Sequence, residues 1–340
     1  MANLTQAELQ LKVWDGRFTT DIPADPTYTI TKTPVGDDNN VRFEISELFK
    51  DYIEPTFSNN YLTISNAVWV YWTITKTFSD APDQTETGYG LGVLGYGYFS
   101  EGINPNVRTG KQIDNEYVYL PEGRGLSIPI FFGTNGVKNV RLYGGGSLLS
   151  DTNHTIIDPV VDEYPIDLVG HFLVTDDVDY ALITKNDLST EIVYVEKVCE
   201  PKFTPYKISF INKYGAIQDL WFFKKRTDRV SFQRDEYSRN TIEVASDSTI
   251  SYSVNKPTDV VLDVKANKKF TLNTGFVKEE YTETIQQLML SENAWIVEGN
   301  QAYPIIPTNQ ELTYKTVLND KVINFTVEFK YGFNEFNVIR

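Results

Sequence analysis

Apolar side chains in this chain fall mostly at every second position, in short runs broken by Gly, Pro, Asn and Asp. That spacing predicts strands, because successive side chains of a strand point to opposite faces. The reading gives strands at 9–18, 28–32, 67–77, 117–120, 126–132 and 137–143. It continues through 172–175, 180–184, 191–198, 241–244, 249–254, 259–264 and 269–277, and ends with 295–298, 303–307, 312–317 and 322–331. The last is the cleanest: Ile323, Phe325, Val327 and Phe329 face one way, Asn324, Thr326, Glu328 and Lys330 the other. In 67–77, Val68, Val70, Trp72 and Ile74 share a face.

Two stretches follow a helical period instead. Ile45, Leu48, Phe49, Tyr52 and Ile53 form a stripe over 46–54 that Pro55 ends, a helix expected to plug one end of a sandwich. Over 278–290, Tyr281, Ile285, Leu288 and Met289 line one side. Glu279, Glu280 and Glu283 lie in the first turns of that helix, where the dipole favours acids. No repeat of fixed period is present, which argues against solenoids and propellers.

Residues 202–237 read as a β-hairpin. Tyr206, Ile208 and Phe210 share one face of its first strand, and Asn212-Lys213-Tyr214-Gly215 supplies the turn. The return strand holds Leu220, Trp221, Phe222 and Phe223, apolar on both faces and so expected at the centre of a sheet, covered twice. Lys224, Lys225 and Arg226 follow at once, then Arg229 and Arg234. In a chain of 340 residues with a net charge of -15, these five cations mark a candidate docking hairpin between subunits. The alternative is a solvated turn that keeps a sheet edge soluble.

Aromatic residues make up 14% of the chain, and with Val, Ile and Thr they dominate the apolar runs, which is strand chemistry. The fold class is mainly β, with two sandwich or barrel-type domains at 1–198 and 199–340 and a helix at 278–290 flanking the second. The acidic balance argues against a surface that wraps nucleic acid or an anionic membrane. Cys199 is the single cysteine, so no intrachain disulfide forms, and its place between strands suits a small buried hydrophobe. No run approaches the ~20 apolar residues of a membrane helix, and the N-terminal stretch lacks a signal-peptide layout, so assembly in a cytoplasm is expected.

Catalytic signatures are missing. The glycine-rich stretch 88–102 has no phosphate-loop fingerprint and reads as a strand that another backbone approaches closely. His154 and His171 have no second ligand at metal spacing. Asp176, Asp177 and Asp179, like Asp158, Asp162 and Glu163, read as solvated acidic loops without the EF-hand pattern. No G-x-S-x-G elbow occurs, and Gly144-Gly145-Gly146 is the best hinge candidate of the first half. The expectation is a protein with no enzymatic activity, cofactor or metal.

The runs FINKYGAIQDLWFFKKRTDRVSF, KKFTLNTGFVKEEYTETIQQLMLSENAWIV and LTYKTVLNDKVINFTVEFKYGF, with FEISELFKDYIEPTF and GYGYFSEG, carry a resemblance. They resemble virion structural proteins of crAss-like Bacteroides phages, in particular the ring-forming neck and tail proteins of that group. The strand-helix-strand order around 278–290 is similar to phage tail-tube and hub modules. The resemblance implies a homo-oligomeric ring in the portal–tail connector, with portal, ring or tail proteins as neighbours and double-stranded DNA in transient passage. It also implies a virion location, assembled in the host cytoplasm without a membrane. A glycan-binding, adhesin-like virion or surface protein using the aromatics of 88–99 is the competing expectation.

Overall fold

The computed structural model describes residues 3–35, 40–61, 67–102, 108–133, 135–156, 169–200, 202–312 and 323–334. Among them the chain is mainly β, with several sheets and little helix. All but Leu312 of the strand predicted at 312–317, and the acidic residues Asp158, Asp162 and Glu163, lie outside the described residues.

Strands β1 (Leu4–Trp14), β2 (Tyr28–Lys32), β3 (Ala67–Phe78) and β4 (Gln84–Val93) form an antiparallel sheet in the order β2-β1-β3-β4. Ala7, Leu9, Leu11 and Val13 alternate inward along β1, as the period-two pattern requires. The helix predicted at 46–54 is shorter than expected, α1 (Ser46–Lys50). Instead of plugging an end, its Leu48 and Phe49, with Ile45 just before it, pack on the Leu9, Leu11 and Val70 face of this sheet. Within 88–102 another backbone does approach closely at Gly95, where a Cβ would lie 2.8 Å from the Lys213 carbonyl oxygen, whereas the glycines of β4 itself answer to side chains. A Cβ on Gly88 would lie 2.4 Å from the Trp72 ring, and one on Gly92 would lie 2.7 Å from the Phe49 ring.

Next come β5 (Tyr117–Pro121), β6 (Gly125–Phe131), β7 (Val137–Gly144), β8 (Ser147–Asn153), β9 (Val169–Thr175), β10 (Tyr180–Lys185) and β11 (Thr190–Val198). Five of them form a sheet ordered β5-β11-β10-β7-β8, with β5 and β11 parallel, while β6 and β9 pair separately. Gly144-Gly145-Gly146 is no hinge. Gly145 and Gly146 have φ of 55° and 77° and close the tight β7–β8 hairpin, a conformation glycine supplies without steric cost.

Strands β12 (Tyr206–Ile211), β13 (Ile217–Phe222), β14 (Thr227–Ser238), β17 (Asp259–Asn273), β18 (Ala294–Glu298), β19 (Gln301–Pro307) and β20 (Thr326–Tyr331) form the largest sheet. Its order is β13-β12-β18-β19-β20-β17-β14. The hairpin of β12 and β13 is as expected, but β13 ends the sheet instead of lying at its centre. All six of its residues are nevertheless buried, because β6 lies across them: Trp221 donates to the Gly125 carbonyl and Ser127 N–H donates to Asp219. The stretches predicted as two strands, 259–264 and 269–277, are largely one continuous strand of fifteen residues.

Helix α2 (Tyr281–Leu290) begins later than predicted, with Glu280 at its N-cap position and Glu283 alone of the three acids in its first turn. Tyr281, Ile285 and Leu288 are buried as the stripe predicts. One apolar core runs from Val118, Leu126, Ile183 and Val193 through Phe222, Ile285 and Phe329, crossing from residues before 198 to residues after it. Cys199 is exposed rather than buried, at the end of β11 where the chain leaves that core.

Candidate interaction surface

The five predicted docking cations separate into two groups. Lys224 pairs with Glu200. The Arg226 side chain is only 9% exposed and binds Glu298, Asp228 at 2.7 Å and the Tyr331 hydroxyl at 3.1 Å, with Tyr206 and Phe270 against its guanidinium. Burial works against its charge, but the hydrogen bonds it donates to Glu298, Asp228 and Tyr331 prevail and its pKa is raised. Arg226 therefore fixes the path from β13 into β14. Lys225, Arg229 and Arg234 are exposed, and among the described residues none has an ion-pair partner.

Beyond that joint the chain leaves the body. β14 hydrogen-bonds to β17 alone, and all twelve of its residues are exposed. Only the last five residues of β17 also pair with β20. The nine residues of β14 past Arg229 thus form an arm that reaches about 30 Å at roughly 3.3 Å per residue. Its two faces differ. Val230, Phe232, Val264, Ala266 and Lys268 lie on the face that carries Phe270 into the core, with Arg234 further out, and Ala266, opposite Phe232, is fully buried. Arg229, Ser231, Gln233, Lys265 and Asn267 occupy the other. Val230 is 45% exposed and Phe232 57%.

The arm ends in a second ribbon, β15 (Ile242–Val244) and β16 (Ile250–Tyr252). Ile242 sits opposite Tyr252 and Val244 opposite Ile250, so four large apolar side chains share one face, each more than half exposed. Glu243 and Ser251 take the other face, where Glu243 pairs with Lys256. Local hydrogen bonds hold the ribbon: Ala245 N–H donates to Thr249 O, Thr249 N–H to Asp247, and Arg239 N–H to Thr258 O. A two-stranded ribbon has no core of its own, and full burial of each such side chain stabilises by about 1.5–3 kcal/mol. The arm as a whole, 227–273, carries seven basic and seven acidic residues, so the net charge of -15 belongs to the body.

A second outward surface lies on the five-stranded sheet. Tyr117, Tyr194, Tyr180 and Tyr143 stand in one register across β5, β11, β10 and β7. Tyr117 and Tyr194 stack at 5.1 Å, and Tyr143 and Tyr180 stack at 4.8 Å. Leu148 continues the row on β8, and Ile192 and Leu182 lie beside it on the same face, while Val193, Val195, Ala181 and Ile183 point into the core. The row depends on strand register across residues far apart in sequence, so composition and local periodicity gave no sign of it. The aromatics singled out at 88–99 divide instead: Tyr98 donates to Glu283, Tyr96 packs on Tyr98, and Phe99 is fully exposed.

Polar groups near the first hairpin are used internally. Asp219 is buried and accepts hydrogen bonds from Tyr61 at 2.5 Å, Ser209 at 2.6 Å and Ser127 N–H at 3.2 Å, with Lys207 at 3.5 Å. Lys207 also donates to Asn59 and to the Tyr61 hydroxyl. Burial, then the Asp219 charge, raises the Tyr61 pKa. His171 packs on Tyr61 at 4.8 Å, and burial lowers it to about 4. His154 packs on Phe132, with burial lowering it too. Asp176 accepts from Gly123 N–H, Asp177 from Thr175, and Asp179 from Gly145 N–H and Lys197. Those three carboxylates close turns, and among the described residues no group of His, Cys, Asp and Glu is placed to hold a metal. At the root of the arm, Lys268, Glu298, Tyr303, Tyr331 and Phe333 line a cavity of about 160 Å³.

No family model matches the chain, and no curated protein or solved structure matches it either. No described helix is long and apolar enough to cross a membrane.

Proposed function

We propose that this protein is a non-enzymatic structural subunit that assembles with copies of itself, using the arm as its connecting element. The observation that carries this reading is the arm: a hydrogen-bonded ribbon that sets out apolar side chains, with Arg229 and Arg234 among its exposed cations and Lys225 at its root, away from an acidic body. A neutral arm approaches an acidic neighbour without the repulsion two bodies meet, and Lys225, Arg229 and Arg234 gain where that neighbour is acidic. The resemblance of the hairpin, the helix segment and the last strand to crAss-like phage neck and tail proteins gives the assembly its proposed form. That form is a ring in the portal–tail connector of a virion, with portal, ring or tail proteins above and below and DNA passing through.

Sedimentation across a concentration series, followed by negative-stain imaging, tests this. The expected result is a closed ring with a hole wide enough for duplex DNA. A chain that stays monomeric at every concentration overturns self-assembly, and a closed two-fold dimer overturns the ring. Replacing 230–268 by an Asn-Gly turn is expected to abolish assembly while leaving the unfolding midpoint of the body in place.

A second reading, glycan binding, draws on the cavity at the arm root, where three aromatic rings meet Glu298 and Lys268. A glycan array with the wild type and Tyr303→Ala tests it, and binding that survives the substitution moves the site elsewhere.

A further inference from the structure

On the large sheet an amine, a carboxamide and a carboxylate converge at one secluded point. β12 and β13 turn Ile208, Phe210, Leu220 and Phe222 into the shared core, so Lys207, Ile211, Ile217 and Asp219 stand on the other face. The stretch 54–61, which follows α1, crosses that face. Its Phe57 packs on Trp295 at 5.6 Å, and its Tyr61 donates to Asp219 at 2.5 Å. Between those anchors Asn59 adopts a left-handed φ of 64° and brings its carboxamide to Lys207. We infer that Lys207 and Asn59 join covalently, Nζ to Cγ, in an isopeptide bond whose formation Asp219 promotes. The bond lies within one chain, so it goes beyond the reading as a self-assembling subunit and stands apart from it.

Three observations carry this. First, Lys207 Nζ lies 2.9 Å from Asn59 Oδ1, which puts the amide carbon, one bond further, beside the nucleophile. Reacting groups held at about 3–3.5 Å need no encounter in solution. Second, a proton path leads away from the amine. Asp219 is 3.5 Å from Nζ, and the Tyr61 hydroxyl accepts from Nζ at 2.9 Å while donating to Asp219. Third, the Asp219 side chain is fully buried and that of Lys207 only 12% exposed, with Trp221 and Val297 opposite Lys207 in the ladder and His171 packed on Tyr61. Moving a proton from Lys207 to Asp219 removes two charges from a place where they lack hydration.

The step balances without a co-reactant. Asp219 takes a proton from the Lys207 ammonium, directly or through Tyr61. The freed lone pair forms the Nζ–Cγ bond, the Cγ–Nδ2 bond breaks, and the leaving nitrogen collects the protons as ammonium. An ammonium side chain and a carboxamide thus become a secondary amide and an ammonium ion, with Asp219 again a carboxylate and nothing oxidised or reduced. The bond closes a loop across 148 positions and fastens the stretch 54–61 to β12. Cross-links of long span restrict the unfolded chain most, and the single cysteine leaves no intrachain disulfide to supply one.

Intact-mass spectrometry of the purified full chain tests this. The wild type is expected to be lighter, by one ammonia molecule, than its sequence requires. Trypsin is expected to leave Lys207 uncut and to release a branched peptide joining 51–76 to 203–213. Lys207→Arg keeps the cation without the amine nucleophile and is expected to show the full sequence mass, as is Asn59→Ala. Asp219→Asn is expected at full sequence mass when freshly purified, since proton transfer by a positioned group contributes about 10²–10⁴-fold. A wild type at full sequence mass overturns the bond. So does a loss of ammonia without the branched peptide, or one that persists in Lys207→Arg. Complete cross-linking in freshly purified Asp219→Asn overturns the role of Asp219. The wild-type measurement needs no variant, so misfolding of a substituted chain does not blunt it.

Discussion

Two antiparallel hairpins stand next to each other in this chain and have opposite surroundings. The first, β12 and β13, ends the large sheet on one side, and all six residues of β13 are buried. The second, β14 and β17, ends the same sheet on the other side, and all twelve residues of β14 are exposed. Both place aromatic and aliphatic residues at alternate positions. The difference lies in what crosses them. β6 lies against β13 and delivers Ser127 N–H to Asp219 from 92 positions away, whereas among the described strands β14 pairs with β17 alone. An apolar alternation therefore specifies a strand, while its cover is a separate property that another segment, or another molecule, must supply.

The largest effect is expected where the covered hairpin is tied down. Asp219→Ala leaves Lys207, the Tyr61 and Ser209 hydroxyls and the Ser127 N–H without their shared acceptor in a buried site. Removing one member of a buried ionic cluster costs about 3–5 kcal/mol, read as a fall in the urea midpoint. A loss below about 1 kcal/mol would show that apolar cover alone secures this hairpin.

The same cluster gives the covered side a pH dependence of its own. Burial holds His171 at about 4, against 6.5 in the unfolded chain. The folded pKa is the lower one, so between those values the unfolded chain takes up a proton that the folded chain refuses. Stability is intact above 6.5 and falls as the pH drops towards 4, by about 3 kcal/mol over the window. Urea midpoints at several pH values for wild type and His171→Gln check this. Equal slopes in the two proteins would place the histidine in contact with solvent.

At the joint between the hairpins, Arg226→Ala removes bonds to Asp228, Glu298 and Tyr331 and the packing on Phe270. The expected cost is about 1.5–3 kcal/mol, with faster amide exchange spreading from Thr227 into the arm. Unchanged exchange in β14 would mean that pairing with β17 alone holds the arm in place.

This contrast also marks how far the sequence reaches. The strand Thr326–Tyr331 and the stripe Tyr281, Ile285 and Leu288 were legible because their periodicity is local and their burial follows it. The basic run 224–234 was legible as a cluster of cations but its partners were not: Lys224 and Arg226 turn inward to Glu200 and Glu298, acids that only the fold brings near. The arm was hidden because 259–264 and 269–277 look like separate short strands, whereas Lys265 to Lys268 continue the ladder opposite β14. The tyrosine row needs the register of four strands, including the parallel pair β5 and β11, and no periodicity within one strand encodes that.

The smallest expected effect bears most directly on the comparison. Phe222 and Phe232 are both strand phenylalanines, but the first is fully buried and the second is 57% exposed. Phe232→Ser is expected to change the stability of the isolated chain by no more than about 0.5 kcal/mol, since it removes little buried area and leaves no polar group without water. The same substitution is expected to weaken self-association, because Phe232 is an exposed aromatic on the face that runs from Phe270 towards the ribbon. Urea unfolding and sedimentation on one preparation separate these outcomes. A large loss of stability without any change in association would mean that the arm folds back on its own body and that its aromatic residues are core after all. A change in association at constant stability would leave the exposed hairpin with the role its bare face suggests, a strand pair whose cover is another copy.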